Sequence, residues 1–108
     1  MDIDLLTSKV NQAQFRMDDW LRERGYTCST FWFGAIDIHP KHIGFWIRVK
    51  TDAEKQTIEQ DAQILPALRD CFRTVGYPAE AIAELGFAVQ SDETVDRVFN
   101  GNWYHAIK

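Results

Sequence analysis

The 108-residue chain has only two cysteines, Cys28 and Cys71. They form neither a Cys-x-x-Cys pair nor a disulfide framework, so a reducing compartment and two ordinary thiols are expected. Long apolar runs are also missing. The longest, Phe31 to Ile36, is far shorter than the roughly 20 residues a membrane-spanning helix needs. The start, Met1-Asp2-Ile3-Asp4, lacks the basic and then apolar stretch of a secretory signal, which leads us to expect a cytoplasmic protein without membrane contact.

Positive charge is scarce as well. Twelve Lys and Arg against sixteen Asp and Glu leave a net charge of -4, with no cluster of cations to hold phosphate, which argues against a nucleic-acid partner. The six glycines are scattered rather than gathered in a phosphate-binding loop, and no Gly-x-Ser-x-Gly turn is present for a nucleophile. Histidine is limited to three residues. We assign no catalytic residue, no metal site and no cofactor from these patterns.

The sequence does contain a globular patterning of one domain, residues 1–108. Leu6, Val10, Ala13, Met17 and Trp20 recur at helical spacing between Asp4 and Arg24, and Gly25 stops the pattern. Residues 26–38 are aromatic and β-branched, and residues 42–50 alternate strictly with Ile43, Phe45, Ile47 and Val49 on one side. They predict two strands joined around Ile38-His39-Pro40-Lys41. Thr51 to Glu54 fits a capping box, opening a long helix that Pro66 must kink or divide.

A short helix behind Pro78 and a third strand over Phe87 to Gln90 follow. For the tail, Asn100-Gly101 favours a hairpin of strands at Thr94 to Phe99 and Asn102 to Ile107; Ser91-Asp92-Glu93 gives the competing reading of a helix start. The order predicts an α+β fold in two layers, with a largely antiparallel sheet and amphipathic helices.

The chain is rich in aromatics: seven Phe, four Trp and three Tyr. If Ile36 pairs with Ile43, Phe33 lies across from Trp46 and Phe31 across from Arg48, all on the side opposite the main core. The small pair Ala35 and Gly44 then floors a cleft, with Asp37 and His42 at its edge. Phe31, Phe33, Trp46, Arg48, Asp37 and His42 are therefore the candidate partner-binding residues, and a protein partner or a second copy of the chain is the expected occupant, because aromatic and arginine residues mark interface centres. The competing expectation is that a helix or the segment with Trp103 and Tyr104 covers this side as ordinary core. A separate alternative is a metal-binding or metal-dependent site drawn from Asp37, His39 and His42, with His105 as a further ligand.

Overall fold

The computed structural model describes residues 2–107. Helix α1 (Ile3–Glu23) begins where the Asp2 carboxylate accepts the Leu5 N–H, and it buries Leu6, Val10, Ala13, Met17 and Leu21 along one stripe. Gly25 then reverses the chain at φ +92°, a left-handed conformation glycine adopts without strain. Strands β1 (Ser29–Phe33) and β2 (Gly44–Val49) follow.

The predicted capping box is formed: Thr51 Oγ1 accepts the Glu54 N–H, while the Glu54 carboxylate accepts the Thr51 N–H, and α2 (Asp52–Glu59) starts there. Pro66 divides rather than kinks the helical stretch. It stands in the first turn of α3 (Ile64–Thr74), where a missing N–H leaves no intrahelical bond unmade. The short α4 (Ala79–Ile82) leads into β3 (Gly86–Ser91).

The tail corrects the hairpin expectation. Residues 92–99 form helix α5 (Asp92–Phe99), and a last short helix, α6 (Trp103–Ala106), replaces the second strand. Ser91 caps α5 through its hydroxyl, which accepts the Thr94 N–H, and Asp92 and Glu93 sit in the first turn where the helix dipole favours anions. Asn100 and Gly101 both take positive φ, +52° and +76°. A type I′ hairpin turn and a left-handed helix end demand the same φ from Asn-Gly, so that dipeptide does not distinguish them.

The class is α+β, with a sheet ordered β1-β2-β3. β1 and β2 are antiparallel, as expected of a hairpin, but β3 joins β2 in parallel, so the sheet is mixed rather than largely antiparallel. Residues 50–85 supply the crossover that a parallel pair requires, and its helices return the chain to the same end of the sheet.

One face of the sheet carries Phe45, Ile47, Val49 and Val89 into the core against the stripes of α1 and α3, including Met17, Leu68 and Phe72. The molecule measures 41 × 29 × 18 Å, and the shortest dimension suits one sheet and one helical layer. Two polar clasps hold the elements together. Arg24 makes a two-pronged ion pair with Asp61, which also accepts the Tyr26 hydroxyl, tying the end of α1 to the α2–α3 junction. Buried Tyr77 donates its hydroxyl to the Pro40 carbonyl at 2.5 Å, anchoring the β1–β2 loop, and burial pushes its pKa up to about 12.

Candidate functional site

The opposite face of the sheet is built from alternate residues of the three strands. Its rows run Ser29–Arg48–Gln90, Phe31–Trp46–Ala88 and Phe33–Gly44–Gly86. The expected pairing is therefore displaced by two residues: Phe31, not Phe33, lies across from Trp46. A displacement of two leaves every side chain on its predicted side, because the pleat repeats every two residues.

The physical reason lies in residues 34–43, which fold as a chain of turns instead of extending the ribbon. The Ala35 carbonyl accepts the Ile38 and His39 N–H groups, and the His39 carbonyl accepts that of His42. Gly34 makes this turn-back possible; a Cβ there would lie 1.8 Å from the His42 carbonyl oxygen.

Phe31 and Trp46 stack almost parallel, with ring centroids 6.3 Å apart and planes 5° apart. Phe33 lies beside Gly44, where a Cβ would stand 3.6 Å from its ring, and it remains 45% exposed. Ala88, Gly86 and Gly44 keep the neighbouring positions low. Beyond them, Phe33, Ala35, Ile38, Ile43 and Gly44 line a shallow open depression of about 510 Å³ that Lys41, His42 and Glu84 border with polar groups.

Arg48 stands at the other end of the face. Its guanidinium donates to Asp92 at 2.9 Å and lies 4.4 Å from the centre of the Trp103 ring, which also meets Phe31 edge-on at 6.2 Å. The segment expected as a cover thus reaches the Phe31–Arg48 end through Trp103, and Phe33 stays open to solvent.

Of the six predicted residues, Phe31, Phe33, Trp46 and Arg48 share one face. Asp37 and His42 do not sit opposite each other; both are exposed in the loop, and only His42 borders the depression. Ala35 and Gly44 are likewise not partners, since Gly44 pairs with Phe33 and Ala35 lies past the ribbon's end, in the loop. Sequence reasoning missed Gly86 and Ala88. Their alternation with Phe87 and Val89 was the available signal, small on one side and large on the other.

The metal alternative finds little support. The His39 and His42 rings stand 6.1 Å apart, but His39 Nδ1 is occupied by the Lys41 N–H, and among the described residues no three His, Cys, Asp or Glu side chains converge on a common point. Cys28 and Cys71 are half-buried, and burial is the main cause raising both thiols, with Asp18 adding to it at Cys28. Neither is an activated nucleophile.

Two carboxylates in the first turns of α2 and α5, Asp52 and Glu93, are similarly engaged. Asp52 accepts from the Ser91 and Thr94 hydroxyls and from Arg97, contacts that hold its carboxyl well below the usual range, while the Glu93 carboxylate accepts the Asp52 N–H. The starts of α2 and α5 thus receive their anions from the chain itself.

Fold and site together define a small α+β domain whose mixed sheet has one buried face and one aromatic face partly open to solvent. Compared with protein-family models, with curated proteins and with solved structures, the chain matches none.

Proposed function

We propose that this is a small cytoplasmic binding module whose working surface is the aromatic face of the sheet, and whose partner is another protein or a second copy of the chain. One observation carries the reading: Phe33 projects 45% exposed next to the Phe31–Trp46 stack, over a floor of Gly44, Gly86 and Ala88. A contiguous apolar surface of this kind is uncommon on a monomer unless something docks there. Rigid rings beside small residues give a partner both area and a recess, and Arg48 and Lys41 mark the surface with charge for orientation. The two free thiols suit a reducing compartment. Among the described residues no helix is long and apolar enough to cross a membrane.

The test is the double variant Phe33→Ala with Trp46→Ala. Association, read by sedimentation velocity across a concentration series and by co-purification with the tagged chain, should weaken by about 30-fold or more, the scale of a central aromatic contact. Circular dichroism should retain the wild-type spectrum and a cooperative melt. A double variant that no longer folds, together with a wild-type chain that stays monomeric and brings nothing with it, would show the face to be core and end the reading.

A further inference from the structure

We propose that β3 is a strand-addition edge whose occupant is the β3 of a second copy, joined antiparallel about a two-fold axis into one continuous sheet. The Gly86 N–H donates to the Ile43 carbonyl, and hydrogen bonding alternates along a parallel strand. Gly86, Ala88 and Gln90 therefore turn their backbone groups toward β2. Phe87 and Val89 turn theirs outward, and among the described residues no backbone or side-chain group meets them. Left buried and unpaired, each such group would cost about as much as a lost hydrogen bond. The Val89 side chain lies in the core and that of Phe87 packs against it, so the edge offers backbone rather than rings.

The two margins of the sheet are finished differently. Off β1, the Thr30 carbonyl accepts the Gln14 side chain at 2.9 Å and the Thr30 hydroxyl donates to Asp18, so α1 guards that strand. β3, with the sequence Gly-Phe-Ala-Val-Gln-Ser, has neither charge nor proline, two devices by which edge strands deter pairing. It is closed at its end, where the Gln90 side chain accepts the Ser91 N–H at 3.0 Å and the Lys55 ammonium at 3.1 Å.

A two-fold axis through Ala88 sets Phe87 opposite Val89 of the second copy. Every outward N–H of these residues then finds an outward carbonyl across the joint. The same register lays Gln90 beside Gly86 of the second copy, which brings Lys55 toward the exposed Glu84 just before that glycine. This match of cation with carboxylate repeats on both sides of the axis, and it selects a second copy over a foreign strand. The aromatic faces of both copies come to lie on the same side of the sheet, clear of the joint. The contact therefore stands apart from the binding reading above.

Ala88→Cys tests the register in the full-length chain. Across the axis the two residue-88 Cα atoms would stand about 4.5 Å apart, within the span of a disulfide, whereas the two at residue 90 would stand about 14 Å apart. Under mild oxidation Ala88→Cys should crosslink through residue 88, located by mass spectrometry of the unreduced digest, at least about 10-fold more than Gln90→Cys. Val89→Pro removes an outward donor and no bond to β2. Added to Ala88→Cys, it should cut the crosslink about 10-fold while circular dichroism keeps the wild-type spectrum.

Charge reversal tests the same joint without touching the strand. In sedimentation velocity, Lys55→Glu and Glu84→Lys should each weaken the dimer about 5-fold, and the two together should restore it. Three results would overturn the edge pairing: an Ala88→Cys crosslink no greater than that of Gln90→Cys, a folded Val89→Pro chain that crosslinks undiminished, or a double charge variant no stronger than the singles. An edge that takes up only an extended peptide of another protein gives the first of these. Phe33→Ala with Trp46→Ala should leave the residue-88 crosslink unchanged, so failure of the binding reading and failure of the edge pairing are read separately.

Discussion

The two faces of the three-stranded sheet use the same residue types for opposite ends. On the covered side Phe45 is 1% exposed beneath α1 and α3; on the other, Phe33 is 45% exposed one strand away. Each face has aromatic rings, yet they differ in what lies opposite. The covered face meets helix stripes of Leu, Ile and Met that interdigitate with it, whereas the open face has glycine and alanine beside its rings and one tryptophan above them. Ring content alone therefore does not mark core; coverage by a second layer does.

This contrast is open to direct attack, beginning where the loss should be greatest. Phe45→Ala empties a fully packed position, and urea denaturation should record a loss of about 3–5 kcal/mol. A loss below 1 kcal/mol would mean the two faces are equivalent. Tyr77→Phe comes next, because it strands the Pro40 carbonyl that the hydroxyl serves, at a cost of about 1–3 kcal/mol.

The same residue predicts a pH dependence. The folded chain holds the Tyr77 phenol protonated to about 12, above its ordinary value of 10, so its contribution is complete below pH 10 and fades as pH rises from 10 to 12. Thermal melts should show wild-type stability falling through that window more steeply than that of Tyr77→Phe.

How far the sequence exposed this arrangement can be judged from particular residues. The strict alternation of Ile43, Phe45, Ile47 and Val49 identified the buried side of β2, and with it the side holding Trp46 and Arg48. Period-2 geometry made this reading insensitive to the two-residue displacement of β1. The loop contacts that set that displacement, from Ala35 to Ile38 and His39, were invisible, being backbone bonds that many sequences form.

The parallel placement of β3 was hidden because it depends on where residues 50–85 deliver the chain, which no local pattern encodes. The tail was misjudged because Asn100-Gly101 suits two structures; burial of Val95 on one side of α5 is a tertiary fact that decides between them.

Two substitutions on the open side complete the comparison. Phe33→Ala should change the folding free energy by less than about 1 kcal/mol, since solvent already reaches the ring, while reducing association. A chemical melt and sedimentation on the same sample separate the two effects. Gly44→Ala should be the mildest and of opposite sign. A Cβ there finds ordinary contact distance to Phe33 and Trp46, and restricting the unfolded chain stabilises by about 0.4–1 kcal/mol. A marked loss would mean the open face is packed more tightly than its exposure implies.

The parallel pairing of β2 with β3 also governs assembly in time. Gly44 finds Gly86 forty-two residues further along, so β2 pairs with β1 first and waits with its other margin bare. At ribosomal speeds of about 5–20 residues per second, that wait lasts a few seconds. During it Phe45 and Ile47 lack their β3 neighbours, Phe87 and Val89. The nascent chain is most vulnerable to mispairing in that interval, before the final strand slots in beside its predecessor.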